Sequence, residues 1–116
     1  MIRVSIAAPT PVMRAGLRAM LASDEVQVVG DAASLEEALA ESPDADVLLV
    51  TGEELLEGGG RVFVSEGAPA LVVLSEDDRP LAALSTLPLR GWGIVAPDAS
   101  AAEMQAAVTA AAQGMS

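Results

Sequence analysis

The sequence predicts a single α/β domain in which a parallel β-sheet is covered by helices on both faces. Two runs, DVLLV at Asp46–Val50 and ALVVL at Ala70–Leu74, are continuously apolar, which is typical of strands buried on both faces of a sheet. Short apolar runs also alternate with helix-forming segments along the whole chain. Because parallel strands need crossover connections, this β-α alternation favours one parallel sheet over an antiparallel one.

The first half of the chain is predicted to hold three strands and two helices. The strands are Ile2–Ala7, Val26–Gly30 and Asp46–Val50. Thr10 can cap the first helix, whose apolar residues recur at helical spacing up to residue 21. Ser34 and Glu37 form the pattern of a capping box, so a second helix begins there, and we expect it to end near Pro43.

The second half contains two further strands and a well-marked last helix. The strands are Ala70–Leu74 and Trp92–Val95, and weaker helical segments are predicted within 61–66 and 79–87. Ser100 and Glu103 form a second capping box, and Gly114 ends the helix that follows. The apolar residues on one face of this helix are Met104, Ala107, Val108 and Ala111.

Composition excludes several classes of function. Acidic residues number 17 against 6 basic ones, giving a net charge of −11, and such a surface repels a nucleic-acid backbone. The chain has no Cys, no His and no Tyr, and its basic residues are all Arg. Thiolate and imidazole chemistry and ordinary zinc sites are therefore excluded, and we expect neither an enzyme nor a cofactor.

Length and hydropathy set the remaining expectations. The 116 residues correspond to about one domain. No apolar run approaches the roughly 18 residues of a membrane span, and the N-terminus does not have the pattern of a signal peptide. A soluble cytoplasmic protein is expected.

The order of these segments resembles the receiver domains of NarL/LuxR-type response regulators. Residues 2–17 are similar to the opening of that domain, with Pro11 and the Arg14, Gly16 and Leu17 pattern of its first helix. The likeness continues through VVGDA at 28–32, the Asp46–Val50 strand and the segment from 98 to 103. It implies a flavodoxin-like (CheY-like) five-stranded sheet in the order 2-1-3-4-5. It also implies that a helix-turn-helix DNA-binding domain follows in a full-length parent.

The resemblance also implies a phosphorylation site, and this sequence lacks its chemistry. In the family, a pair of acidic residues holds Mg²⁺, and the corresponding residues here are Ala8 and Pro9. The phosphoacceptor Asp corresponds to Thr51, and the family's Lys corresponds to Pro97. The family's Ser or Thr at the end of the fourth strand is present as Ser75. Neither Ala8 nor Pro9 offers the side-chain oxygen that Mg²⁺ requires, and Thr51 cannot form an acyl phosphate. We therefore expect a degenerate pseudo-receiver without a bound metal.

Two hypotheses of function remain open from the sequence. The first is a phosphorylation-independent regulatory domain that acts by dimerisation or by binding a protein partner, and binds DNA only through a further C-terminal domain. Its candidate interface residues are Trp92, Ile94, Met104 and Val108. The alternative is a small-molecule sensor that uses the emptied phosphorylation crevice.

Overall fold

Five parallel strands form one sheet in the order β2-β1-β3-β4-β5 in the computed structural model of the chain. The structure describes residues 1–41, 44–51, 70–76 and 91–114. The strands are β1 (Ile2–Ala7), β2 (Val26–Ala32), β3 (Val47–Thr51), β4 (Ala70–Leu74) and β5 (Trp92–Val95). The predicted fold class and strand order are confirmed.

Three helices lie in the described part of the chain: α1 (Pro11–Leu21), α2 (Leu35–Glu41) and α3 (Ala101–Ala112). Each begins where the sequence places a cap. Thr10 accepts a hydrogen bond from the Met13 N–H, and Ser34 accepts one from the Glu37 N–H. The capping box of Ser100 and Glu103 is complete, because both reciprocal bonds are present. These caps satisfy backbone donors that a helix start otherwise leaves unpaired.

The sheet separates two apolar layers. Along each strand alternate side chains point to opposite faces, so β1, β3 and β4 contribute residues to both layers. One layer is covered by α1 and α3, and the other by α2. The side chains of β3 and β4 are buried throughout, as their continuously apolar sequences predict.

Three strand boundaries differ from the prediction, one of them the end of β3, which lies at Thr51 rather than Val50. β2 extends to Ala32 rather than Gly30, because Asp31 and Ala32 stay in register with the end of β1. Asp46 lies just before β3 instead of starting it. Its N–H donates to the Arg3 carbonyl, and its carboxylate accepts from the Arg3 N–H at 2.9 Å. Asp46 thus pairs with the backbone N–H and carbonyl of Arg3 just before the first residue pair of β1 and β3.

The pairing of β1 with β2 contains one irregularity. Val4 pairs with Val28, but Ser5 pairs with Gly30, so Val29 is an extra residue in β2. Such a bulge twists the strand locally. Val29 is also one of the exposed large apolar side chains.

Several predicted features lie outside the described residues. These are the helical segments predicted within 61–66 and 79–87. Among the helices described here, none is long and apolar enough to cross a membrane.

Ser5 provides a test of the packing around β1. Its side chain is fully buried on the same sheet face as Ala7, and its hydroxyl has no hydrogen-bond partner. A buried hydroxyl without a partner destabilises a fold by about 1–3 kcal/mol. We expect Ser5→Ala to raise the free energy of unfolding by about 1 kcal/mol in urea titrations.

Ser100→Ala is the matched control, because it removes a hydroxyl that caps α3. It should lower the free energy of unfolding by about 1 kcal/mol. A loss of stability in Ser5→Ala would show that the Ser5 hydroxyl is bonded in solution.

Candidate functional site

The residues predicted to form the emptied site meet at the carboxyl edge of the sheet. Parallel strands end at a common edge, and in open α/β sheets this edge carries the ligand crevice. Thr51 is the last residue of β3 and pairs in register with Leu74, the last residue of β4. The other positions follow directly after strands: Ala8 and Pro9 after β1, Ser75 after β4 and Pro97 after β5.

The described site positions offer little polar chemistry. Ala8 and Thr51 are buried, Ser75 is half-buried, and Pro9 and Pro97 are exposed. Both hydroxyl-bearing residues already take part in interactions within the chain. These five positions therefore supply two hydroxyl groups and no side-chain charge.

A guanidinium group reaches this edge from α1. Nη1 of Arg14 donates a hydrogen bond of 2.7 Å to the carbonyl oxygen of Ala8. The Arg14 side chain is only 19% exposed, and its Nε lies 3.7 Å from Oδ1 of Asp31. Because a guanidinium is always protonated, Arg14 places a permanent positive charge beside the turn that follows β1.

Asp31 is shared between two arginines. Arg18 donates to Oδ2 of Asp31 through Nη2 at 2.7 Å and through Nε at 3.2 Å. The opposite oxygen faces Arg14. One carboxylate thus balances two guanidinium groups, which leaves a surplus positive charge where α1, β2 and the end of β1 meet.

The site does not fit the Mg²⁺ that the receiver resemblance implies. Mg²⁺ takes hard oxygen ligands in near-octahedral geometry, and the side chains of Ala8 and Pro9 carry no oxygen. Arg14 adds a cation where a divalent ion would need anions. Within the described ranges no group of three or more acidic, His or Cys side chains is placed to hold a metal.

The four candidate interface residues separate into two pairs on opposite faces of the sheet. Trp92 and Ile94 are half-buried and pack against the apolar layer beneath α2. Met104 and Val108 are fully buried in the layer beneath α3. The prediction that Met104 and Val108 belong to an interface is therefore wrong, because the apolar stripe of α3 points into the sheet.

Sequence reasoning missed the arrangement of Arg14, Arg18 and Asp31. Arg14 and Asp31 were identified only as residues that resemble the family's sequence pattern. A signal was present, because residues four apart on a helix share a face and the end of β2 lies beside β1. The hydrogen bond from the Arg14 side chain to the carbonyl oxygen of Ala8 could not be predicted from the sequence.

Comparison with solved structures shows that the chain is similar to receiver domains of response regulators. The signal receiver domain of the response regulator NarL from Mycobacterium tuberculosis superposes with a TM-score of 0.77 at 26% identity, covering 97% of each chain. The non-phosphorylated receiver domain of the stress response regulator RcsB from Escherichia coli gives 0.69 at 27% identity, over 98% of this chain and 95% of that one.

A longer neighbour shows how much of a response regulator such a chain covers. The response regulator ChrA of a heme-sensing two-component system matches with a TM-score of 0.75 at 26% identity. The match covers 98% of this chain but 58% of ChrA. No protein-family model and no curated protein sequence matches the chain.

The two arginines differ in how much each should stabilise the fold. Arg14→Gln removes a poorly exposed, charge-assisted hydrogen bond, so we expect the free energy of unfolding to fall by about 2 kcal/mol. Arg18→Gln serves as the control, because Arg18 is 47% exposed and a surface ion pair contributes at most about 1 kcal/mol. Equal losses in urea titrations would show that the bond to Ala8 adds nothing beyond the ion pair.

Proposed function

We propose that this chain is a pseudo-receiver: a phosphorylation-independent regulatory domain of a NarL/LuxR-type response regulator. Two facts support the proposal together. The fold matches receiver domains over nearly the whole chain, and the positions for the acidic pair, the phosphoacceptor and the Lys hold Ala8, Pro9, Thr51 and Pro97. On this proposal the scaffold is retained while the residues for phosphoryl transfer are replaced.

The observation that carries the proposal is the residue types at the site positions: Ala8 and Pro9 carry no side-chain oxygen, and Thr51 carries no carboxylate. Phosphoryl transfer to a receiver needs a carboxylate nucleophile and a metal ion to offset the charge of the phosphoryl group. The described positions supply neither a carboxylate nor metal ligands, and the charged group beside the turn after β1 is the Arg14 guanidinium, whose Nη1 lies 2.7 Å from the Ala8 carbonyl oxygen.

A domain without transfer chemistry acts through its surfaces. We place it in the cytoplasm, where it regulates by contact with a second copy or another protein. Contact with DNA is left to a helix-turn-helix domain beyond this segment, since the net charge of −11 opposes direct binding to nucleic acid. The role is therefore non-enzymatic and needs no cofactor.

The alternative of a small-molecule sensor has less support. Two grooves in the described part of the chain both include Ser23 and Val26, at the start of β2, and neither is lined by Thr51 or Ser75. No observation on the described residues points to a ligand in the emptied crevice.

Trp92, the single Trp of the chain, reports on the proposal directly. It is half-buried on β5, so its fluorescence is sensitive to rearrangement of that strand. We expect beryllofluoride with Mg²⁺ to change neither the Trp92 emission nor the urea midpoint. Mass spectrometry after incubation with acetyl phosphate should show the unmodified mass.

A receiver that retains the acidic pair, the phosphoacceptor Asp and the Lys is the positive control under the same conditions. A phosphoryl adduct on this chain, or a Mg²⁺-dependent change in Trp92 emission, would overturn the proposal. Adduct formation would also assign the acceptor directly by peptide mapping.

A further inference from the structure

A groove lies between α3 and the turn that joins α1 to β2, and we call it the α3 groove. Its volume is about 440 Å³, within the range of sites that hold small molecules. Three alanines spaced four residues apart on one face of α3 form its apolar floor, namely Ala102, Ala106 and Ala110. Val26, at the start of β2, extends this floor, and Glu25 lies beside it.

Hydrogen bonds within the chain hold both walls of the α3 groove in place. The Ser23 hydroxyl accepts from the N–H groups of Glu25 at 3.3 Å and Val26 at 3.2 Å, which fixes the turn. Nε2 of Gln105 donates to the carbonyl oxygen of Met20 at 2.9 Å and joins α3 to α1. A ligand therefore meets a preformed surface and does not lose affinity by ordering it.

Negative charge borders the α3 groove. Glu25 is the one charged side chain among the described residues that line it. Two helices also end there, because Ser23 directly follows the C-cap residue of α1 and Gln113 is the C-cap residue of α3. The C-terminus of a helix carries the equivalent of about half a negative charge. The groove therefore combines a carboxylate with the negative ends of two helix dipoles.

The arginines in the described part of the chain do not offset this charge. Arg18, in the last turn of α1, is bound to Asp31 at 2.7 Å, and the last turn of α3 has no basic residue. Arg14 donates to Ala8 at the other edge of the sheet. Arg3 alternates along β1 with residues that face α1 and α3, so its side chain points to the opposite face.

The cations closest along the chain border a different groove. Arg18 and Met1, which carries the terminal ammonium group, line a neighbouring groove of about 560 Å³ on the other side of Ser23 and Val26. The whole chain has a net charge of −11, and such a field attracts cations and repels anions. Charge complementarity therefore favours a positively charged occupant for the α3 groove.

We propose that the α3 groove binds a small organic cation, in which a primary ammonium or guanidinium group is carried on an aliphatic chain. The cationic group lies beside the Glu25 carboxylate and the ends of α1 and α3. The aliphatic chain lies on the alanine floor, which spans about 12 Å from Ala102 to Ala110. The inference goes beyond the proposed function and does not depend on it, because the groove includes none of the phosphorylation-site positions.

Three probes with the same six-carbon chain test the proposal: hexylammonium, hexanol and hexanoate. Each is titrated into the nitrogen-15-labelled chain while the amide NMR shifts are followed. We expect hexylammonium to move the signals of Glu25, Ala106 and Gln113 and to dissociate at about 0.1–1 mM. Hexanol should bind at least about tenfold more weakly, since it has the apolar chain but no charge, and hexanoate should not bind.

Two substitutions separate the charge of the α3 groove from its floor. Glu25→Gln removes the carboxylate and should weaken hexylammonium at least about fivefold. Ala106→Leu fills the floor and should abolish binding, while leucine at this exposed helix position keeps the fold. Glu36→Gln is the matched control, because it removes the same charge from the exposed side of α2 and should leave binding unchanged. The thermal midpoint of each variant confirms that it is folded.

Several outcomes would overturn the α3 groove as a cation site. These are equal binding of hexanol and hexylammonium, shift changes confined to α2, and unchanged binding in Glu25→Gln or Ala106→Leu. Equal weakening by Glu25→Gln and Glu36→Gln would show that only the overall field attracts the probe, and it too would overturn the site. None of these results bears on the pseudo-receiver proposal, which acetyl phosphate and beryllofluoride test separately.

Discussion

The burial of the three central strands on both faces is the constraint on which the rest of this structure depends. Nearly all side chains of β1, β3 and β4 are buried, whichever face of the sheet they point to. Successive residues of these strands therefore have to be apolar, and not only every second one. Helices then have to cover both faces, and parallel crossovers bring all strand ends to one edge. The position of the crevice, its lining residues and the orientation of α1 toward it all follow from that requirement.

The same constraint explains what the sequence could predict. Continuous apolar runs identified β3 and β4, and capping residues such as Thr10 and Ser100 marked the helix starts to the residue, because these signals are local. The end of β2 was harder to predict from the sequence, because Asp31 and Ala32 belong to the strand through their pairing with β1. Local patterns carry no information about a partner strand.

Prediction of the site and the surface was less complete for a related reason. The proposed loss of phosphorylation chemistry depends on residue types alone, so Ala8, Pro9 and Thr51 suggest it without coordinates. The contact of Arg14 with Ala8 depends on where a long side chain ends in space. The misassignment of Met104 and Val108 arose because apolar residues on a helix suit a core and an interface equally well.

Replacing an acidic cluster has an energetic consequence for the scaffold. Several carboxylates at one crevice repel each other and depend on a bound cation, which makes such a site costly for stability. In this chain Ala8 is fully buried in the apolar layer and adds to it. Under the proposed function the domain is free of that repulsion, and we expect it to remain folded at low Mg²⁺.

The extra residue Val29 in β2 has a consequence for self-assembly. β2 is the outermost strand on its side of the sheet, and its free backbone edge could template pairing with the same edge of another molecule. The added residue breaks the regular spacing of that edge, so two such edges cannot align over their length. We therefore expect the irregularity to oppose edge-to-edge pairing of β2 with a second copy of the chain.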